Sequence, residues 1–526
     1  MEGKKLSQEA YKALEDIVGP EYITCDPVIL KSYSFVWGAE LYYGDRLLPF
    51  DPLGVVIPGS AEEVQAIVKT CNRFRIKYKA FASGFHPVAI IGREPFLVVD
   101  LRRLNRILTI DEKNMIAVVE PYVSLGELFF ECIKRGLRYN AIGVGPMASV
   151  LATSCCHDGI TYHGISNNYG GQNVLGVEWV LPNGELIRLG SMATDSGWFT
   201  ADGPGLNLRA IMRGRGAPNG GLGIITKAAV RLAPWYGPPV IKIEGTPPSY
   251  ELGCEVPENY KASIAAFHSA KDMMEFTRLL EEERMAMACQ KIAPVMAATW
   301  GAVSNDDFLR RLRSERAKEL MKFGPFAMGF ILDAFSREEL ELKEACLQKI
   351  LGLTNGVIVP LTPEEERALF TILVVGVGKA MRAGGTFYSV AFYAGNYDSC
   401  LILSDKLKKT LEHLRPLVER GSIGLASDEY VLVPVGGQWV HFSQVCTYDL
   451  DDPEAIKALK EIEGVIVRMM VEESIGMHSE SFVPEDSMLD IAADRTCNFP
   501  QYIRKIKQLL DPNLVSESTF YVTPKA

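Results

Sequence analysis

From Asp51 to about Trp235, short apolar runs alternate with stretches whose apolar residues recur at helical spacing, the pattern of α/β construction. Leu53 to Pro58 reads as a strand. In Ser60-Ala-Glu-Glu63 the Ser hydroxyl and the Glu carboxylate are placed to cap the orphan amides of a helix running to about Phe74. Lys77 to Phe81, Leu97 to Asp100 and Met115 to Val119 read as further strands, and Ser124-Leu-Gly-Glu127 opens a second boxed helix, which predicts β-α-β-β-β-α. Val174 to Leu181 and Leu186 to Leu189 flank Pro182-Asn183-Gly184, where the Asn-Gly pair tolerates the positive φ of a hairpin turn. Gly223 to Leu232 is another strand, ended by Pro234.

The Pro-rich stretch Trp235 to Pro248 follows and marks a domain boundary. Beyond it, Lys261 to about Tyr448 mixes helices with strands in an α+β pattern. Thr362-Pro363-Glu364-Glu365 combines a cap, a Pro in the first helical position and a box Glu. Helices are predicted from Asp452 to about Glu463 and over Phe499 to Leu510, and no repeat or low-complexity tract interrupts the chain.

Composition narrows the class. The 526 residues are 48% hydrophobic and 23% charged, an ordinary globular balance. A net charge of -10 has the wrong sign for a phosphate-backbone binder, so nucleic acid is excluded as the expected partner. Eleven cysteines are scattered without C-x-x-C spacing and read as reduced thiols. The polar, amphipathic start is not a secretion signal, and the longest apolar stretches, Ile292 to Val303 and Ala368 to Gly378, are too short to cross a bilayer. A soluble cytoplasmic protein is expected.

Three segments carry candidate chemistry. Phe81-Ala-Ser-Gly-Phe-His-Pro87 is a Gly-containing turn straight after a strand, where backbone N–H groups could face an anion; it is equally an ordinary tight turn. Gly143 to Gly171 is too long for a mere linker and includes Thr153-Ser-Cys-Cys-His-Asp-Gly159 and His163. Its Cys155, Cys156, His157 and His163 lack the paired spacing of structural zinc sites, so no metal is expected, and two small buried thiols are preferred to a redox pair. Asn219-Gly-Gly-Leu-Gly-Ile-Ile-Thr226 leads glycines into an apolar strand, either for close approach of a flat ligand or as a simple bulge.

Taken in order, Val55-Val-Ile-Pro58, Ser60-Ala-Glu-Glu-Val64, Val98-Val-Asp-Leu-Arg-Arg-Leu-Asn-Arg-Ile107, Asn173-Val-Leu-Gly-Val-Glu-Trp-Val-Leu-Pro-Asn-Gly184 and Leu222-Gly-Ile-Ile-Thr-Lys-Ala228 resemble the FAD-binding domain of the vanillyl-alcohol oxidase / p-cresol methylhydroxylase flavoproteins. Leu510-Asp-Pro-Asn513 agrees with the family's closing D-P-N. The resemblance implies an α+β fold. A two-lobed FAD-binding domain (51–235) follows an N-terminal segment (1–50), an α+β substrate or cap domain spans 236–463, and a C-terminal segment (464–526) packs back on the FAD domain. It also implies FAD as cofactor, with the pyrophosphate on Ser83, Gly84, Phe85, His86 and Pro87. His86 is the candidate for covalent attachment to the flavin. Thr153, Ser154, His157, Gly159, Gly223 and Ile225 are the further cofactor-binding candidates.

Trp439-Val-His441-Phe-Ser-Gln resembles the family's active-site strand, and Met477-His478-Ser-Glu480 falls where hydroxy-acid dehydrogenases of the family have E-H-G and phenol-oxidising members have Tyr-Arg. His441 and His478 are therefore the catalytic candidates, each an imidazole able to take a hydroxyl proton near neutral pH. Pro434 stands where hydroxy-acid dehydrogenases of the family have a metal-binding histidine, and Lys379 or a neighbour stands where other members carry the flavin on Tyr. The expected reaction is hydride transfer from a small hydroxylated substrate, a phenolic or aromatic alcohol, to flavin N5. A 2-hydroxy acid is the runner-up. Ala82, Phe85 and Val88-Ala-Ile-Ile91 depart from the family's loop, which motivates a rival reading as a flavin-poor scaffold subunit of an electron-transfer complex. An electron acceptor or electron-transfer protein and a second copy of the chain are the candidate partners beside substrate.

Overall fold

The computed structural model describes residues 5–35, 40, 44–45, 47–84, 92–140, 145–156, 159–190, 211, 221–244, 251–253, 255–300, 302, 304–376, 387–412, 414–420, 422–425, 431–436, 439–461, 478–480 and 497–518. Four sheets of four or five strands dominate the described residues. The first has the order β1-β2-β4-β3, with β1 Ile23–Thr24, β2 Gly54–Val56, β3 Tyr78–Phe81 and β4 Leu97–Asp100. Strands β2, β3 and β4 run parallel, which requires a crossover, and the helix Ala61–Phe74 supplies it. Val64, Ile67, Val68 and Cys71 recur on one face of that helix and pack on Val56, Tyr78 and Val99. Ser60 accepts from the Glu63 amide as expected, but the Glu63 carboxylate reaches Gly59 N rather than the Ser60 amide.

The second sheet is antiparallel, in the order β5-β6-β10-β8-β9: β5 Ile107–Asp111, β6 Ile116–Val119, β8 Val174–Val180, β9 Leu186–Leu189 and β10 Ile224–Arg231. The short β7 (Leu137–Arg138) pairs with β11 (Ala233–Pro234), and β12 (Ile243–Glu244) with β13 (Glu251–Leu252). The expected β8–β9 hairpin is present. Gly184 has φ +86° and donates to Leu181 O, while Asn183 keeps negative φ, so one glycine makes the turn. The sequence pattern missed β5.

The remaining strands build the other lobe. β14 (Tyr260–Ala266), β15 (Ala286–Lys291), β16 (Ala327–Asp333) and β17 (Val357–Ile358) form one sheet in the order β15-β16-β14-β17. β18 (Phe387–Ala394), β19 (Ile423–Leu425), β20 (Val431–Val435), β21 (Trp439–Tyr448) and β22 (His478–Glu480) form the next, in which β21 pairs with β18, β19 and β20. One core, with Phe276, Phe330, Val440 and Phe442, lies under the helices Ala270–Glu282 and Arg337–Leu353. Another, with Ile264, Ile331, Val433 and Leu373, also takes in Phe129, Tyr162 and Trp235 from the first lobe. The helix Pro363–Val375 in this core carries the full Thr362/Glu365 capping box. No helix among the described residues is long and apolar enough to cross a membrane.

Candidate FAD site and the seam between the lobes

Strand β3 ends in Ala82-Ser83-Gly84 at the carboxyl edge of the parallel sheet, the edge where open α/β sheets bind ligands. Gly84 is exposed, with φ +65°, and a Cβ there would lie 2.4 Å from the Phe81 ring. Ser83 Oγ accepts from Ser149 N at 3.1 Å, which ties this loop to the cap of the helix Val150–Cys155. Phe85, His86, Pro87 and His157 lie outside the described residues, as does Lys379.

Beside the loop, Asp100 is fully buried and accepts from Tyr33 Oη at 2.6 Å and from the Arg102 guanidinium at 2.6 and 3.0 Å. Arg102 Nη2 also donates to Tyr33 Oη at 2.8 Å. Burial, then the Asp100 carboxylate, pushes the Tyr33 phenol well above its ordinary range, so it stays protonated. Sequence reasoning missed this cluster; its one signal was Asp100-Leu-Arg102 directly after an apolar strand.

Thr153 donates its hydroxyl to Ser149 O at 2.8 Å, and Ser154 Oγ pairs with Tyr139 Oη at 2.7 Å, so both candidates make their hydrogen bonds within the protein. Gly159 O accepts from Gly170 N at 2.9 Å; its closeness serves backbone packing. Cys155 and Cys156 are thiols rather than a disulfide. Gly223 opens β10 with φ +83°, and a Cβ would lie 2.2 Å from Val180 O. Ile225, buried, pairs with Trp179 ahead of a bulge.

Residues 159–173 cross from this lobe to the other as a strap. Tyr162 O accepts from Cys289 N at 2.9 Å, Gly164 O from Gly436 N at 3.1 Å, and Ser166 Oγ donates to Met287 O at 2.7 Å. His163 is fully buried within it. Arg138 Nη1 lies 3.2 Å from its Nδ1 and Leu373 O lies 2.9 Å from its Nε2. A guanidinium can only donate and a carbonyl can only accept, so the ring carries its proton on Nε2. Burial, then the Arg138 charge, holds the imidazole well below its ordinary value and keeps it neutral. His163 is thus a seam residue and not a metal ligand.

That depression has a sign. The unfolded chain binds a proton at His163 near the ordinary value and the folded chain does not. The stabilisation is therefore full above about pH 6.5 and is lost as pH falls below it, by up to about 1.4 kcal/mol per unit. His163→Gln, whose amide can accept from Arg138 and donate to Leu373 O, is expected to flatten the acid-side loss of stability. Urea melts at about pH 7.5 and about pH 5.5 measure it, and an unchanged difference between the two would reject the role.

His441 sits on β21 between Val440 and Phe442, which pack under the helices in the core of Phe276 and Phe330. Alternation along a strand turns His441 to the opposite face. Its partner on β20, Val433, packs there with Tyr162 and Phe129 of the first lobe. His441 is 7% exposed, so the structure brings this imidazole into the seam. The backbone of His478 pairs with Phe392 on β18, one residue from Tyr393, which pairs with His441.

The residues present fit a dinucleotide. The glycine turn that ends β3 leaves the exposed backbone of Gly84, at φ +65°, open to close approach of a ligand, whereas Gly223 is buried, with its N–H bonded to Ser516 Oγ and its Cβ side filled by Val180 O. Residues 52–190 match the family described as FAD binding domain. Across nearly the whole chain the fold is that of p-cresol methylhydroxylase with substrate bound (TM-score 0.74, 17% identity, 99% of this chain and 98% of that one). It is equally that of 4-ethylphenol oxidase from Gulosibacter chungangensis (0.74, 18%, 99% of each). The chain carries an FAD-binding domain within a fold of the vanillyl-alcohol oxidase / p-cresol methylhydroxylase type.

Among curated proteins it is similar to glycolate oxidase subunit GlcD of Bacillus subtilis, 28% identical over 35% of this chain and 37% of that protein. It is also similar to the mitochondrial D-lactate dehydrogenase [cytochrome] of Arabidopsis thaliana, 22% identical over 87% and 71%. The match thus spans little more than a third of the GlcD chain.

Proposed function

We propose that the protein is an FAD-dependent oxidoreductase that takes hydride from a small hydroxylated substrate. One observation carries this reading: His441, an ionisable side chain, is 7% exposed on the sheet face that meets the FAD-binding lobe. Buried imidazoles at a cofactor seam are suited to proton transfer. FAD, when bound, supplies the hydride acceptor.

The chain's own residues do the rest. The Ser83–Gly84 turn with Phe85, His86 and Pro87 would hold the cofactor's pyrophosphate, Gly223 and Ile225 would pack against it rather than bond it, since Gly223 N already donates to Ser516 and Ile225 pairs with Trp179, and His86 is the residue that would bond it covalently. His441 takes the proton from the substrate hydroxyl as its C–H bond breaks, and His478 is the second candidate for that task. The strap's bonds hold the two lobes together at this face, and the low exposure of His441 limits competition from solvent for the proton.

A phenolic or aromatic alcohol is the favoured substrate, supported by full-length likeness in fold to p-cresol methylhydroxylase and 4-ethylphenol oxidase. A 2-hydroxy acid is the second reading, supported by the sequence likeness to glycolate oxidase subunit GlcD and D-lactate dehydrogenase. The test is a visible spectrum of purified protein followed by anaerobic mixing with phenols, aromatic alcohols and 2-hydroxy acids. Bleaching of the flavin by one class selects it. A colourless protein that ignores added FAD would instead support the scaffold reading, and colour surviving acid precipitation would mark the His86 link.

A further inference from the structure

Arg102 stands at the carboxyl edge of the parallel sheet with its orientation fixed from behind. Its main-chain N–H donates to Asp100 Oδ1 at 3.0 Å, and its Nε and Nη2 donate to Asp100 Oδ2 at 3.0 and 2.6 Å. The protonated Tyr33 phenol donates to the same carboxylate oxygen and accepts from Nη2. Asp100 is fully buried whereas the Arg102 side chain is 49% exposed, so the carboxylate lies beneath and the cation above. A guanidinium has five N–H donors. Those on Nε and Nη2 are taken by Asp100 and Tyr33, and among the described residues the two on Nη1 have no partner. Two chains of contact tie this group to the Ser83–Gly84 turn. On one side Tyr33 packs edge-on against the Phe81 ring, with centroids 5.4 Å apart, and a Cβ at Gly84 would lie against that same ring. On the other, the Tyr122 phenol lies near enough to act on the Arg102 charge, Pro121 O accepts from Ser149 Oγ at 2.5 Å, and Ser149 N donates to Ser83 Oγ at 3.1 Å. Leu101 N donates to Phe81 O at 2.9 Å, so the backbones that carry Arg102 and the turn leave the sheet side by side.

We infer that Arg102 is a cofactor-binding residue: its Nη1 N–H groups donate to a phosphoryl oxygen of the FAD pyrophosphate seated on the Ser83–Gly84 turn. The inference rests on the cofactor reading of that turn. The exposed backbone of Gly84 offers a diphosphate dipoles but no charge, and the guanidinium beside it supplies the charge. A planar fork already held by a carboxylate loses little freedom when it binds, which favours Arg over Lys at such a place. Arg103, next along, is committed elsewhere: its Nη1 donates to Ile57 O at 2.9 Å and its guanidinium lies 3.7 Å over the Tyr22 ring, at the end of β2. It reports the structural share of this edge alone.

Full-length protein prepared without flavin, from riboflavin-starved cells, is titrated with FAD by fluorescence quenching at about 0.05 M and about 0.5 M NaCl, with a melt of each apoprotein alongside. Arg102→Gln is expected to weaken FAD binding about tenfold at the lower salt, the size of effect a charge-assisted hydrogen bond supports. At the higher salt the loss shrinks to about threefold, because screening has already removed part of the wild type's attraction. Arg103→Gln is expected to lower the melting temperature while leaving FAD binding within about twofold of wild type. Should Arg102→Gln not fold, Arg102→Lys keeps a cation over Asp100 but loses the fork, and is expected to weaken binding about threefold. Unchanged FAD affinity in whichever of these two variants folds overturns the inference. So does a loss by Arg102→Gln of the same factor at both salts, which marks a structural defect, or an equal loss in Arg103→Gln. Wild-type apoprotein that takes up no FAD overturns the cofactor reading itself, and is recognised by that before any variant is compared.

Discussion

Replacing His441 by Ala is expected to leave the bound flavin oxidised when substrate is mixed in without oxygen. Loss of a positioned general base costs typically about 100- to 10,000-fold in the chemical step. The change sits on β21, in the cap lobe, whereas the Ser83–Gly84 turn proposed to hold FAD lies in the other lobe, so flavin content should stay near that of the wild type. Substituting Ala also removes ring volume from a nearly buried position, and a melt controls for that loss. Single-turnover reduction measured by stopped flow, with a substrate that bleaches the wild type, is the decisive reading. A rate within a few-fold of wild type would remove His441 from the reaction and leave His478 as the remaining histidine to test.

Gly223→Val should have the largest effect on the cofactor. At φ +83° a side chain costs about 1 to 2 kcal/mol from backbone strain alone. The added carbon would stand 2.2 Å from Val180 O, an overlap of a kind that costs about 1 to 3 kcal/mol more in a packed site. Relief would require the start of β10 to shift away from β8, breaking the Gly223 bond to Ser516. The expected outcome is protein purified largely without flavin and melting well below wild type, a melt that added FAD fails to raise. Normal flavin content with an unshifted melt would show that this turn is not part of the cofactor site.

Much of the FAD-binding lobe was legible in sequence because its strands are uninterrupted apolar runs bounded by Gly, Pro or capping residues. Leu97–Asp100 and the helices begun by Ser124 and Thr362 fell where the pattern put them. Strand β5 did not. Ile107–Asp111 is a sheet-edge strand with Leu108 and Thr109 exposed, so its pattern is neither a buried run nor a clean alternation. The FAD-loop candidates were visible through their glycines, although the local order of Thr153 and Ser154 could not reveal that their hydroxyls already had partners within the protein.

The seam was not legible at all. Arg138, His163, Met287 and Leu373 come from four separate stretches, and no local spacing joins them. The orientation of His441 became an argument only once β20 was known to pair with β21, because alternation fixes two faces but not which one meets the other lobe.

The strap bears on how far the two lobes can part. Main-chain bonds from Tyr162 and Gly164, the Ser166 and His163 contacts, and the buried Tyr448–Glu40 hydrogen bond from the N-terminal segment all fasten the cap lobe down. A hinged, clam-like opening would have to rupture these together. Parting of the two lobes is therefore a cooperative event that costs all of these bonds at once, and not a free hinge motion.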